Sequence, residues 1–228
     1  MNPESGHPPH RLRPEPMSSD KPDFRTDING LRAYAVVAVM LFHFRIPGFT
    51  GGFSGVDVFF VISGFLMTKI LVDDARIAGR QEAWNWLIDF YLGRARRIVP
   101  ALAALCATLL LLGAFLLLAP EFMQLAANSV AALTFLSNFI FWLNADHYLK
   151  AASHENWLLH TWSLSVEWQF YLAYPPGLWL IWRLFRTPRA RLSALIAGFA
   201  ASFALSFFIT PANPDAAFYL LPTRFWEL

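Results

Sequence analysis

The sequence predicts an all-α protein, a polytopic bundle of transmembrane helices. Of its 228 residues, 56% are hydrophobic and 16% aromatic, and the mean hydropathy is +0.41. Only 15% of the residues are charged, whereas soluble domains have roughly 25%. The apolar residues also occur in blocks that are long enough to cross a bilayer. A soluble core could not bury this much apolar material, so we expect the lipid bilayer to be its environment.

Charge and cysteine content exclude other classes of protein. A net charge of +2 is too small to predict a nucleic-acid partner. Cys106 is the single cysteine and lies in an apolar run. It predicts a small core residue and neither a disulfide framework nor a cysteine metal site. His147, His154 and His160 lack the spacing of metal ligands, so we predict no metal site and place these histidines at the membrane interface.

The chain divides into a tail and one membrane domain. Residues 1–24 are polar and rich in proline, which predicts a disordered tail. They do not form a signal peptide, because no short apolar stretch with a cleavage site follows the charges. Residues 25–228 constitute the membrane domain.

The first half of this domain predicts three spans. The first covers about 31–46, and a glycine-rich turn leads to the second, at about 53–72. A polar loop follows, in which 81–97 predicts a surface helix whose aromatic residues lie at the headgroup level. The third span covers about 98–118, where Pro100 suits a first helical turn.

The segment at 128–144 is short and partly polar, and it has two interpretations. If it crossed the membrane, the arginine-rich loop at 183–191 would lie outside, against the positive-inside rule. If it is re-entrant, that loop lies inside, and we favour this alternative. Further spans are expected at about 159–182 and 192–209. Another apolar segment begins at 216–228, so we expect five to six spans here and further spans beyond them.

The distribution of lysine and arginine predicts the orientation. Basic residues are frequent before the first span and between the second and third, whereas the loop at 119–128 has none. Cytoplasmic loops carry the excess of positive charge. We therefore expect a multi-pass protein of the inner (plasma) membrane with a cytoplasmic N-terminus.

The opening helix, "NGLRAYAVVAVMLFHF", carries Arg32 and His43 with only apolar residues and a tyrosine between them. At 100° per residue the two side chains are about 20° from eclipsed and about 16 Å apart along the axis. A charged residue at the centre of a membrane helix costs about 2.5–3.5 kcal/mol. This face of the helix is therefore predicted to contact protein or to line a water-filled cavity. Alternatively, Arg32 snorkels to the interface and His43 is an interfacial histidine.

An acidic residue, Glu167, lies within the later predicted span, in "TWSLSVEWQFY", and Ser163 precedes it at i−4 on the same helical face. A buried carboxylate without a partner would bind a proton. We therefore expect it either to orient His43 or to pair with Arg32. Asp57 is the second candidate for the partner of His43.

A basic cluster, Arg94, Arg96 and Arg97, precedes the third span. It is either a topology signal or a phosphate site, because guanidinium groups match phosphate oxygens. Other polar or aromatic residues within or beside the spans are predicted to line a cavity or to hold helices together. They are Asp57, Trp162, Ser163, Ser165, Arg224 and Glu227.

Five segments, in order, resemble the membrane-bound acyltransferase-3 family. They are the Arg32–His43 segment, "GGFSGVDVFFVISGFLMT", "FYLGRARRIVPAL", "LLHTWSLSVEWQFYLAYP" and "FYLLPTRFWEL". The sequence departs from the family at Gly93, where members often have arginine, and at Trp168, where they usually have a second glutamate. The pattern is similar to members that acylate surface glycans and often carry an SGNH-type domain. The family's membrane unit has about ten spans, so the resemblance implies its N-terminal half.

The resemblance implies transfer of an acyl group, usually acetyl, from a cytoplasmic acyl-CoA to a carbohydrate hydroxyl. Acetyl-CoA is then a co-substrate and no cofactor is bound, while the carbohydrate acceptor is cell-surface, exported or lipid-linked. A sugar hydroxyl needs a base near neutral pH, which would be His43 oriented by Glu167. Arg32 would stabilise charge on the thioester oxygen or hold a donor phosphate.

The arginine cluster Arg94, Arg96 and Arg97 would then bind the donor. No Gly-x-Ser-x-Gly motif is present, and Ser163 and Ser165 are predicted to be structural and not acyl-carrying nucleophiles.

Three rival interpretations remain from the sequence. His43 and His160 would be the axial ligands of a haem protein. Intramembrane charges would form the relay of a transporter or sensor. A truncated chain would have no activity. The sequence leaves the oligomeric state open.

Overall fold

The structure, a computed structural model, describes residues 25–74, 80–145 and 156–228. Within these ranges the regular secondary structure is helical, without β-strands. The predicted tail at 1–24 lies outside the described residues, as do His147 and His154.

Nine α-helices cover most of the described chain. They are α1 (Thr26–His43), α2 (Gly55–Asp74), α3 (Arg80–Leu116), α4 (Ala119–Leu133), α5 (Ser137–Leu143), α6 (Thr161–Leu184), α7 (Pro188–Ile209), α8 (Pro214–Tyr219) and α9 (Leu221–Arg224). Short 3₁₀ turns at Gly52–Ser54 and Phe225–Glu227 precede α2 and follow α9. The prediction of an all-helical membrane bundle is confirmed.

Three segments are long and apolar enough to cross a membrane: Gly52–Val72, Leu87–Leu116 and Pro188–Ile209. They match the predicted second, third and last complete spans. The spans expected at 31–46 and 159–182 coincide with α1 and α6. These two helices do not meet the same test of length and composition, and their role as spans stays a prediction.

The start of α1 is tied down by a local ion pair. The Arg25 guanidinium donates three hydrogen bonds to Asp27, the shortest at 2.7 Å. These bonds hold the pKa of Asp27 at about 2. The carboxylate therefore stays charged in the first turn, where the helix dipole favours negative charge.

The surface helix and the third span form one continuous helix, α3, so the prediction that separated them is wrong. Its 37 residues extend about 56 Å, far beyond a hydrocarbon core of about 30 Å. Pro100 lies inside this helix and not in its first turn. An internal proline costs about 3 kcal/mol, but Ile98 before it and Leu102 after it belong to the same buried apolar cluster, and this packing holds the helix together.

The segment around 128–144 forms a hairpin of α4 and α5, broken at Phe135, which has a left-handed φ of 56°. Phe135 stacks on Trp168 of α6 with ring centroids 4.4 Å apart. Further along α5, Ser137 meets Ser165, which is earlier in α6, at 2.7 Å. The helices α5 and α6 are therefore antiparallel, and the chain turns back at Phe135 without making a single straight traverse.

One buried apolar cluster joins this hairpin to α3. Its members are Leu102, Cys106, Leu125, Ala132, Phe135 and Leu158. Cys106 is 1% exposed, which confirms the prediction of a small core residue.

Helix α6 is the centre of the bundle, because two further clusters form along it. The first contains Phe60, Phe141, Trp162 and Val166. The second contains Met67, Leu71, Phe170, Tyr171 and Leu178, with Phe225 and Leu228 packed against it. The residues after α9 therefore close the bundle between α2 and α6.

Gly64 permits the closest approach between α2 and the terminal segment. A Cβ atom at Gly64 would lie 1.5 Å from the carbonyl oxygen of Leu228, so only glycine fits. This contact fixes the rotation of α2 and thereby the direction of the neighbouring side chain, Ser63.

Gly64→Ala should destabilise the protein, because its methyl group must displace backbone. Overpacking of this kind typically costs about 1–3 kcal/mol, and thermal unfolding of the detergent-purified protein would measure it as a lower Tm. Gly93→Ala is the matched control, since a Cβ there meets nothing within 4 Å. Equal Tm values for the two variants would contradict the tight contact.

Candidate functional site

Close packing of α1 on α2 forms the first wall of the site. A Cβ atom at Gly52 would lie 2.2 Å from the Ala38 carbonyl oxygen, and one at Gly55 would lie 2.6 Å from that of Ala35. The glycines of "GGFSG" therefore let the two helices approach with backbone in contact. This approach brings Arg32 of α1 to the same cavities as Ser63 of α2.

A cavity of about 290 Å³ lies between α1, α2 and the start of α6. We call it the histidine chamber. Its walls are largely apolar, and its polar side chains are Arg32, Ser63, His160, Ser163 and Glu167.

A second cavity, of about 170 Å³, adjoins it and includes α3 in its wall. We call it the arginine chamber. Its polar side chains are Arg32, Ser63, Arg94, Arg97, Glu167 and Tyr171. The two chambers have Arg32, Ser63, Leu164 and Glu167 in common, and we call these four residues the shared wall.

The carboxylate of Glu167 accepts two hydrogen bonds on one oxygen. Ser63 Oγ and Tyr171 OH both donate to Oε1. Both hydroxyl hydrogens are therefore directed at the same carboxylate oxygen. The Arg94 guanidinium lies over the Tyr171 ring, with Cζ 5.3 Å from its centroid, and adds positive charge close by.

Glu167 has neither of the partners that the sequence suggested. Arg32 shares both cavities with it, but among the described residues no ion pair within 4 Å joins Glu167 to Arg32 or to His43. Its described side-chain partners are instead Ser63 and Tyr171, at Oε1. Asp57, the second candidate partner of His43, binds Arg224 instead.

His43 lies at the end of α1, beside the histidine chamber. Its Nδ1 is 2.8 Å from the Val39 carbonyl oxygen. Because a carbonyl only accepts, Nδ1 carries the hydrogen and the lone pair of the neutral ring is on Nε2. The ring meets His160 edge to face, with centroids 4.5 Å apart and planes at 85°.

His160, which the sequence placed only at the interface, is therefore a site residue. It lines the histidine chamber, whereas His43 is exposed and is not among the lining residues of that chamber, although its ring contacts His160. Contact between the two rings also leaves no gap for a macrocycle, which argues against haem ligation by this pair.

An ion-pair cluster holds the end of the described chain. Arg224 Nη1 donates to Asp57 Oδ1 at 2.9 Å and to Glu227 Oε1 at 2.8 Å. The guanidinium also lies over Trp162, with Cζ 5.6 Å from the ring centroid. Four of the predicted polar or aromatic residues thus come together to join α2, α6 and the terminal segment.

Some of the remaining predicted residues line a chamber and others do not. Ser163 lines the histidine chamber and its hydroxyl donates to the His160 carbonyl at 3.2 Å, whereas Ser165 is buried on Ser137. Arg94 and Arg97 line the arginine chamber. Arg96 is exposed and is not among its lining side chains.

Two site residues were missed for different reasons. Tyr171 is four residues after Glu167, so helical spacing alone would have placed it on the same face. Ser63 is on another helix, and no local signal joins it to Glu167. Among the residues that the structure describes, no group of three or more metal-ligating side chains occurs.

The membrane domain matches a known protein family. The family model described as "Acyltransferase domain" matches residues 25–223, so the chain belongs to this family, and the resemblance to acyltransferase-3 proteins is confirmed. No solved structure matches the chain.

Within this family, the chain is similar to bacterial O-acetyltransferases. The chain is 30% identical over 204 residues to the peptidoglycan O-acetyltransferase OatA of Listeria monocytogenes, covering 88% of this chain and 32% of that protein. It is 34% identical over 158 residues to the O-acetyltransferase OatA of Staphylococcus aureus, covering 68% and 24%. It is 31% identical over 208 residues to the putative peptidoglycan O-acetyltransferase YrhL of Bacillus subtilis, covering 88% and 31%. The chain thus spans about a quarter to a third of these relatives.

Arg224→Met should lower stability, because it leaves Asp57 and the buried Glu227 without their cation. Breaking a buried pair from one side costs about 3 kcal/mol or more, which thermal unfolding in detergent would detect. The exposed Arg186 gives the control variant Arg186→Met, with little expected change.

Adding Glu227→Gln to Arg224→Met should recover part of the loss, because the unpaired buried charge is then removed. If Arg224→Met were as stable as its control, the cluster would have no structural role.

Proposed function

We propose that this protein is a membrane O-acetyltransferase that moves an acetyl group from cytoplasmic acetyl-CoA to a hydroxyl of a cell-wall carbohydrate. Peptidoglycan is the acceptor class that the names of two relatives state. The observation that carries the proposal is the shared wall. It gives one set of reactive side chains access to two chambers, one lined by arginines and the other by a histidine.

The arginine chamber suits the donor. Arg32, Arg94 and Arg97 bring three cations against the single carboxylate of Glu167. Guanidinium groups bind phosphate oxygens in bidentate geometry, so they would hold the phosphates of acetyl-CoA and direct its thioester to the shared wall. The positive-inside rule places this end of the bundle, and the N-terminus, on the cytoplasmic side of the inner membrane.

The histidine chamber suits the acceptor. An imidazole has the intrinsic pKa that general-base chemistry needs near neutral pH. We assign this role to His43, whose lone pair is on Nε2 because Nδ1 donates to Val39. His160 continues the imidazole surface into the chamber, where a carbohydrate hydroxyl would arrive.

In the net reaction, the acceptor hydroxyl oxygen becomes bonded to the acetyl carbonyl carbon, and the carbon–sulfur bond of the thioester is broken. The hydroxyl proton goes to the base, and coenzyme A leaves as the thiol after taking up a proton. Arg32 lies on the shared wall and would stabilise the negative charge that develops on the carbonyl oxygen.

His43→Ala should reduce acetyl transfer by about 10²–10⁴-fold, the usual contribution of a general base. The assay would follow labelled acetyl from acetyl-CoA into peptidoglycan in membrane vesicles, with membrane insertion checked in parallel. A wild-type rate in the variant would refute the base role. Substrate flux across the vesicle without any acetyl transfer by the unmodified protein would instead indicate a transporter.

Arg97→Gln should raise the KM for acetyl-CoA by about 10-fold or more, because a hydrogen bond to a charged group contributes about 1.5–3 kcal/mol. Arg96→Gln is the matched control, one residue away and outside the arginine chamber. Equal effects of the two substitutions would favour a simple topology signal over a donor site.

A further inference from the structure

Ser63 carries a nucleophilic hydroxyl on the shared wall. It lies near the middle of α2, between Gly55 and Asp74. Its hydroxyl donates to the Glu167 carboxylate, which is 104 residues away in sequence and on another helix.

The contact with Glu167 is the arrangement that activates a serine. A serine hydroxyl is a weak nucleophile at its ordinary pKa, and an adjacent base that accepts its proton makes it reactive. Because the hydrogen points at Oε1, the lone pairs of Oγ are free for attack. Arg32, on the same wall, supplies a cation for the oxyanion that such an attack creates.

The position of Ser63 matters as much as its neighbour. It lines both chambers, so a group attached to Oγ is accessible from the donor side and from the acceptor side. The arginine chamber has a volume of about 170 Å³ and the histidine chamber one of about 290 Å³. In the proposed function, the donor and the acceptor enter these chambers from opposite ends of the bundle. A carrier on the shared wall removes the need for both substrates to be bound at once.

The direction of Ser63 is also fixed. The next residue, Gly64, has its α-carbon against the Leu228 carbonyl, so α2 cannot rotate about its axis without a clash. Reactive groups are effective when they are held in one geometry.

We propose that Ser63 accepts the acetyl group and carries it as an O-acetylserine between the two chambers. This proposal rests on the proposed function, since acetyl-CoA is the donor. In the first step Ser63 Oγ bonds to the thioester carbonyl carbon, its proton passes to Glu167, and the carbon–sulfur bond breaks. The departing thiolate takes up that proton and leaves as coenzyme A.

In the second step the acceptor hydroxyl attacks the ester carbon, and the bond from that carbon to Ser63 Oγ breaks. The hydroxyl proton goes to the base of the histidine chamber, which releases it to water. Ser63 Oγ takes up one proton from water by way of Glu167, which balances the proton released to water by the base, and the enzyme returns to its starting state.

The test is a single-turnover reaction of the purified full-length protein in vesicles with radiolabelled acetyl-CoA and no carbohydrate acceptor. We expect protein-bound label in an ester, mapped by mass spectrometry to the peptide that contains Ser63. Adding acceptor should discharge it. Ser63→Ala should lose the label, whereas Ser193→Ala, an exposed serine of α7, should keep it.

Ser63→Cys provides a second signature that does not depend on the stability of Ser63→Ala. Its adduct should be a thioester, which neutral hydroxylamine cleaves, whereas the serine ester resists this treatment. Label at another residue, or no label in a wild-type protein that does acetylate carbohydrate, would overturn the carrier role and leave the proposed function standing. No acetylation of carbohydrate by the wild-type protein would instead refute the proposed function.

Discussion

The Glu167 carboxylate lies within an apolar bundle and therefore needs polar partners, and the rest of the site provides them. An ionised acidic residue at the centre of a membrane helix costs about 2.5–3.5 kcal/mol unless protein or water satisfies it. Glu167 is satisfied by Ser63 from α2 and by Tyr171 from its own helix, with Arg32 of α1 in the same cavities. Three helices must therefore stand in one arrangement to bring these side chains to the same cavities.

Close backbone contacts supply that arrangement. Glycines at 52 and 55 let α2 lie against α1, and Gly64 lets it lie against the terminal segment. The ion pair of Asp57 with Arg224 holds the same segment from the side. Contacts that require small residues or opposite charges thus hold α2 in place along its length. Because α2 is held in place, the polar side chains that it presents to the chambers are also held in fixed positions.

The polar groups are also sorted by position. Cations gather in one chamber and imidazoles at the end of the other, with the shared wall between them. Such sorting suits a reaction whose donor is anionic and whose acceptor is a neutral hydroxyl, because each chamber offers the electrostatic environment that one substrate needs. Ser63 and Glu167 line both chambers, so they are exposed to both of these environments.

The sequence by itself determined the helical class, the buried Cys106 and the family, because hydrophobic blocks and ordered motifs are local properties of the chain. It also predicted Arg32 and Glu167 as site residues, because charged residues within apolar segments can be recognised from the sequence alone. It was wrong about a break within α3, because packing of Ile98 and Leu102 on either side of Pro100 outweighs the local effect of the proline. Only the tertiary structure decided that Glu167 meets Ser63 and Tyr171, that Asp57 pairs with Arg224, and that His43 contacts His160. Partners on different helices leave no mark in spacing along the chain, so they are known only once the helices have packed.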